Sequence, residues 1–382
     1  MQHASSLQFQ MTMVNNSFKR SLKRAIIFIS LLLTLLLNIK KKYLKLKMNN
    51  MNKNFNISHN WGFTQSDGSF VISYINKKSG VPIRPVPVFN FTQSKLDYDL
   101  FIEIQKKLGI GKIYSNRQNV TFVVKSIDEI IEVLLPLFDK YSLRGSKLAG
   151  YNIFKTVVLM IKEKRHLTLE GLIQILNLSY FMNKDTSLRT EESKEILVDK
   201  LIQKYGELPG VSNIIPALVL SKSEPLTLEF VRGLIDGDGS FNVSFATTRR
   251  RISVNFTVVC ELSSISVLND LVDYFGCGTV YKLQSKAARY QVQSVEELLD
   301  KVYPKLKDVK FNTIKQNHFE KTIKVAELIK SNGYKTDEGL KTIVDLAWDM
   351  NKEGKGRKIN KSEYLLKFFK TSHRGKPLFS YS

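Results

Sequence analysis

Two aspartates share an unusual setting. Asp67 lies in WGFTQSDGSF and Asp238 in RGLIDGDGSF, each followed by Gly-Ser-Phe and preceded by a glycine five residues earlier. A single Asp-Gly is an ordinary turn dipeptide. Two in matched settings suggest two carboxylates used together. Carboxylates with backbone carbonyls, waters and a phosphate form a natural shell for Mg²⁺. Divalent ions held there would activate water and stabilise the leaving oxygen of a phosphodiester. Asp67 and Asp238, with Ser66 and Gly237 just before them, are therefore the candidate metal-binding residues.

The segments before the aspartates must place them. Gly62 and Ser66 are spaced i, i+4, as are Gly233 and Gly237. Residues at that spacing share one face of a helix. A face of Gly and Ser lets two helix backbones approach closely. Interior glycine costs ~1 kcal/mol relative to alanine, and close pairing of the two helices would offset it. The pair would bring both aspartates to one end. Helix C-termini carry partial negative charge and the two carboxylates repel, so a cation is needed.

The aspartates belong to a longer internal repeat. FNISHNWGFTQSDGSF from Phe55 aligns without a gap to LTLEFVRGLIDGDGSF from Leu226, an offset of 171. Asn56 and Thr227 sit where a helix N-cap is wanted. Gly109-Ile-Gly111 then matches Gly276-Cys-Gly278 at offset 167, and Lys147 matches Lys315 at 168. An ordered series at nearly constant offset is a duplication. The drop in offset places extra residues of copy one between Asp67 and Gln93, with GVPIRPVPV read as a longer strand connection.

Each copy reads as helix, two strands, an amphipathic helix closed by Gly109 or Gly276, two more strands, then helices. The second strands are placed at Val86–Gln93 and Ile252–Cys260. The class is α+β with two related halves, 55–185 and 226–370. Between them 186–225 reads as a linker with one helix, Thr190–Gln203, and 371–382 as a tail.

The net charge is +23, and 43 % of residues are hydrophobic. Residues 1–54 hold ten Lys/Arg and no Asp or Glu, so the folded body keeps +13. That surplus suits a polyanion, nucleic acid first. Two cysteines exclude a disulfide scaffold and a four-cysteine zinc site. Within the leader, Ala25–Leu37 is apolar between basic clusters, short of the ~20 residues of a membrane span. A secretory segment, an organelle import leader and read-through from upstream coding sequence all remain open for 1–54, which is set apart from the fold.

LIDGDGSF with its preceding glycine resembles the LAGLIDADG motif of homing endonucleases, in the single-chain, two-motif form. Copy two is a close match; copy one departs from it at Gln65, where an acidic residue is usual, and at Ser66. The resemblance runs from 55 to about 370 and includes the GCG turn and MNKEGKGRK. It implies two αββαββα halves related by a pseudo-twofold axis, their strands forming a saddle on the major groove of double-stranded DNA. It also implies two or more Mg²⁺ ions at Asp67 and Asp238, and double-strand cleavage at a long target by a monomer with no small-molecule substrate. A glutamine closing the second strand is carried over as Gln93, whose counterpart is Cys260. Basic residues reaching the active centre are carried over as Lys147 and Lys315, for which a solvated surface lysine is the ordinary alternative. The family's organelle introns imply a mitochondrion or plastid. Gln65 and Cys260 leave open an intron RNA maturase, with intron RNA as partner, or a non-cleaving DNA-binding relative.

The basic hairpins suit DNA. Arg249, Arg250 and Arg251 fall between the first two strands of copy two, and Lys77, Lys78 and Arg84 in the same region of copy one. Lys282, Lys286 and Arg289 lie in the second hairpin of copy two, with Arg117 in that of copy one. Side chains alternate along a strand, so one face would meet base edges while the tips hold phosphates.

Overall fold

The computed structural model describes residues 57–76, 83–182, 190–207, 225–249, 251–350 and 357–369. Lys77, Lys78, Arg250, Asn56, the leader and the 371–382 tail lie outside them. Among the described residues no helix is long and apolar enough to cross a membrane.

The first repeat opens with α1 (Ile57–Asp67), β1 (Gly68–Asn76), β2 (Ile83–Ser94), α2 (Tyr98–Leu108), β3 (Lys112–Ser115) and β4 (Asn119–Val124). Next come α3 (Ile127–Glu129), a π-helical turn, α4 (Leu135–Lys140), α5 (Gly145–Lys162), α6 (Leu169–Phe181) and α7 (Glu191–Tyr205). The second repeat has α8 (Leu228–Asp238), β5 (Gly239–Phe245), β6 (Ile252–Glu261), α9 (Ile265–Phe275), β7 (Thr279–Lys282) and β8 (Ala287–Val292). It closes with α10 (Val295–Glu297), a π-helical turn, α11 (Tyr303–Leu306), α12 (Lys315–Lys330), α13 (Asp337–Ala347) and α14 (Lys361–Phe369).

Each half carries one four-stranded antiparallel sheet, ordered β1-β2-β4-β3 and β5-β6-β8-β7. The α+β duplication inferred from the repeats is the observed architecture. Phe70, Phe89, Phe91 and Phe122 point from the first sheet onto the helices, where Phe70 meets Phe138, Tyr151 and Phe154. Phe241 and Phe256 do the same in the second, against Phe311, Phe319 and Phe275. Alternation leaves the intervening residues on the opposite face of each sheet.

The structure corrects the reading of GVPIRPVPV as a connection. From Ile83 onward this stretch belongs to β2, with Pro85 opposite Tyr74 and Pro87 opposite Ile72. β4 pairs only with Phe89–Ser94, so this part of β2 has β1 as its single neighbour. A strand with one open side tolerates residues that lack an N–H.

The helix expected near 190–203 is α7, and it packs on the first half. Its Leu201 is buried with Ile83, Leu172, Ile173 and Leu176. Thr190 and Ser193 form a capping box, as Asn360 and Glu363 do before α14. α14 in turn rests on the second half through Tyr364 and Trp348. Arg357, within the MNKEGKGRK stretch, stacks between Phe245 and Trp348 at 4.5 and 4.7 Å and donates to the Ala347 and Trp348 carbonyls.

Candidate active site

α1 and α8 pack at the closeness their glycines imply. A Cβ on Gly62 would lie 2.2 Å from the Phe230 carbonyl oxygen and 3.0 Å from the Gly233 Cα. One on Gly237 would lie 2.3 Å from the Ser66 Cβ and 2.6 Å from Asp67 Oδ2. Ser66 Oγ donates across the pair to the Leu234 carbonyl at 3.2 Å. Thr227 caps α8 by accepting from the Phe230 N–H. Asp67 and Asp238 end the two helices and line one cleft with Lys147, Cys260 and Glu261.

Burial raises the pKa of both carboxylates. Asp238 is pushed up to about 7, first by desolvation and then by Asp67, while Lys147, Lys315 and Ser66 pull it down. Asp67 is also raised by burial, against a hydrogen bond from Gln93 and attraction to Lys315 and Lys147. Gln93 Nε2 donates to Asp67 Oδ2 at 2.7 Å, so the expected glutamine holds the carboxylate itself.

Both lysines reach the centre. Lys147 donates to the Gly68 carbonyl, and Lys315 to the carbonyls of Gly237 (3.0 Å) and Gly239. Burial lowers the pKa of each, against the pull of nearby carboxylates. Asp67 feels Lys315 more than Lys147, and Asp238 feels Lys147 more than Lys315. Each lysine thus bonds backbone beside the aspartate of its own half and attracts both carboxylates. Ser66 Oγ donates its hydrogen to the Leu234 carbonyl, and the Gly237 carbonyl accepts from Lys315, so both oxygens keep a lone pair beside the two carboxylates.

The two sides are unlike. Cys260 stands at the Gln93 position, as the register confirms: Gln93 pairs with Val120 and Cys260 with Ala288. Burial, Asp238 and Glu261 push its thiol up to about 12, so it is neutral at ordinary pH. Beside it Glu261 accepts from Ser146, whose Oγ lies 2.7 Å from Ser264 Oγ. On the other side Asp97 is raised to about 6 by burial and by Asp236 and Asp67.

Sequence reasoning missed how the lysines are placed. Asp236 accepts from the backbone N–H groups of Asn312 and Thr313 and from the Thr313 hydroxyl, just before Lys315. Gln65, at the same motif position, exchanges two hydrogen bonds with the backbone of Arg144, just before Lys147. Gln65 is thus a neutral substitute in a structural role. The signal available was that Arg144 and Asn312 are separated by the repeat offset. Arg144 also crosses between the halves, bonding Asp270 at 2.8 Å over the Phe230 ring. Gly145 follows with φ +55°, and a Cβ there would meet Ser264 Oγ at 2.8 Å.

The basic residues divide between strands and turns. Arg84 and Arg289 stand on the sheet face away from the helices. Arg117, Arg249, Arg251 and Lys286 occupy exposed turns. Lys282 is exposed at the end of β7, on the alternation of the helix-facing side, since it pairs with buried Ala288.

A family model described as LAGLIDADG endonuclease matches residues 61–158 and 231–326. A Mycosarcoma maydis protein named "Probable intron-encoded DNA endonuclease 1" is 43 % identical over 267 residues, 69 % of this chain and 97 % of that one. The chain spans only 63 % and 52 % of two Neurospora crassa relatives. Shorter matches reach proteins named for an ND4 intron of Podospora anserina (31 % identity; 28 % of this chain, 24 % of that one) and a cox1 intron of Schizosaccharomyces pombe (28 %; 33 % and 38 %). Among solved structures, the LAGLIDADG homing endonuclease I-GzeII in complex with its DNA target superposes with a TM-score of 0.67 at 26 % identity, covering 78 % of this chain and 99 % of that one. I-SmaMI, bound to uncleaved DNA in the presence of calcium ions, gives 0.67 at 25 %, covering 78 % and 99 %. With its motif helices paired and the family model matched once in each half, the chain belongs to the LAGLIDADG endonuclease family.

Proposed function

We propose that the chain is a monomeric, site-specific homing endonuclease that makes an Mg²⁺-dependent double-strand break in DNA. The observation that carries this reading is the junction of α1 and α8, which holds one carboxylate from each half near two half-buried lysines. Among the described residues no group of three or more His, Cys, Asp or Glu is placed to hold a metal by itself. Two carboxylates fit Mg²⁺, which binds through one or two carboxylates and completes its shell with water and substrate phosphate. Asp67 and Asp238 would hold the ions, which when bound supply an activated water and neutralise the leaving oxygen.

The chain's own residues do the rest. Gln93 orients the Asp67 carboxylate. Lys147 and Lys315 bring positive charge to a site where phosphate charge must be neutralised, with little water to screen it. The Gln65 and Asp236 side chains fix the backbone from which those lysines extend. Because Gln65 acts through its amide, its departure from the family pattern does not favour a non-cleaving protein.

Relatives named for cox1 and ND4 introns support placing this chain in the mitochondrion. The test uses the full chain, Mg²⁺ and the intron-less form of its own host locus, against the same reaction in EDTA. Cleavage of both strands near the exon junction is expected, lost in Asp67→Asn and Asp238→Asn, with binding retained. Full cleavage by either variant overturns its assignment.

A further inference from the structure

Lys147 extends from the first turn of α5, and the N-cap of that helix gives it no capping bond. The first N–H groups of a helix have no partner within it, and a side chain at the N-cap commonly supplies one. Here the N-cap is Arg144, whose side chain turns to Asp270 instead. The second half takes the place of the cap. Ser264 Oγ accepts from the Ser146 N–H at 3.3 Å. The Ser146 hydroxyl donates to the Glu261 carboxylate and lies 2.7 Å from Ser264 Oγ. A carboxylate at this end of a helix also meets the positive end of its dipole. Gly145, which has no Cβ, lets Ser264 come this close. Burial pulls the pKa of Lys147 down, and of the carboxylates that hold it up Glu261 is the strongest, ahead of Asp238 and Asp67.

The arrangement is one-sided. The turn that carries Lys315 is bound within its own half, where Thr313 Oγ1 accepts from the Lys315 N–H at 3.3 Å and donates to Asp236 at 2.6 Å. The repeat puts Ser94 and Asp97 at the positions of Glu261 and Ser264, and Ser94 Oγ accepts from the Leu96 N–H of its own turn.

Resting on the DNA-cleaving reading above, we propose that Glu261 and Ser264 are positioning residues for Lys147: the second half caps the helix on which the first half carries its lysine. Lys147 is then set in place by the docking of the two halves, whereas Lys315 is set by its own half. Ser146 directly precedes Lys147, so any shift of this turn moves the lysine, and small displacements of a group at a reacting centre are costly. Among the described residues Glu261 does not complete a group of three side chains placed to hold a metal. Its hydrogen bond from Ser146 directs it to α5 instead.

The test uses the full chain, Mg²⁺ and the intron-less form of its host locus. Single-turnover cleavage is followed with the DNA saturated by protein, and affinity is measured separately in Ca²⁺. Ser264→Ala, Ser146→Ala and Glu261→Ala should each slow cleavage about tenfold while changing affinity by less than about twofold. Glu261→Gln keeps an acceptor for the Ser146 hydroxyl and should recover most of the rate. Amide hydrogen exchange should quicken at Ser146 in Ser264→Ala and stay as in the parent at Lys315. Parental rates in both serine variants, or unchanged exchange at Ser146, overturn the proposal. A loss confined to Glu261→Ala overturns it as well, because Glu261 then acts on the ions or the DNA directly. If Glu261→Ala fails to fold, the serine variants and the exchange measurement decide. A parent that leaves the locus uncut overturns the DNA-cleaving reading, and this proposal with it.

Discussion

Asp238→Asn should stabilise the metal-free protein, increasingly so as the pH rises. The carboxyl is raised from an ordinary 3.8 to about 7, chiefly by burial and then by Asp67. A raised acid binds more protons folded than unfolded between those two values, so stability falls as pH rises through this window. At ~1.36 kcal/mol per pH unit, the ionised form costs about 4 kcal/mol at pH 8 and under about 1 kcal/mol at pH 4. The attraction of both lysines is already contained in that shift. The amide keeps the shape of the acid without its charge. The gain at pH 8 should therefore be of order 2–4 kcal/mol, or roughly 3–6 °C in Tm for a chain of this size. Urea unfolding of both proteins in EDTA at pH 4, 6 and 8 measures it. Adding Mg²⁺ at pH 8 should narrow the gap, because the cation stabilises the parent and has lost a ligand in the variant. An Asp238→Asn protein no more stable than the parent at pH 8, or equally stabilised at pH 4, would refute the electrostatic account of the helix junction.

Gly62→Ala and Gly237→Ala each put a methyl within about 2.3 Å of the opposing helix, and should cost ~3 kcal/mol or more by thermal or urea unfolding. Arg144→Ala breaks a mostly buried pair with Asp270 and the contact on Phe230; it should cost about 2–4 kcal/mol, with Arg144→Lys recovering only part of it. Because Gln93 holds Asp67 and Cys260 cannot do the same for Asp238, the strands should be cut at unequal rates. A nicked intermediate should appear on strand-labelled substrate and diminish in Cys260→Gln. Gln65→Leu should lower cleavage more than binding, because it frees the backbone before Lys147; Gln65→Glu should restore much of the loss.

Much of this protein was legible in its sequence because the information is local and occurs twice. The Gly/Ser spacing in α1 and α8 specified a close helix pair, and the shared offset located both aspartates, both lysines and all eight strands. Alternation along β5, β6 and β8 separated the residues that face the helices from those that face outward. The prolines of β2 misled because their tolerance depends on whether a neighbour lies alongside, which pattern alone does not carry.

What only the tertiary structure decided are contacts between residues far apart in the chain. Gln65 and Arg144 are 79 residues apart, Asp236 and Thr313 are 77, and Arg144 and Asp270 are 126. No periodicity links such partners; packing brings them together. The attraction of both lysines to both carboxylates arises in the same way, from the pseudo-twofold meeting of two helices. The raised carboxylates are a property of that meeting too, since each pKa depends on how much water the opposite half displaces and on which charges it brings.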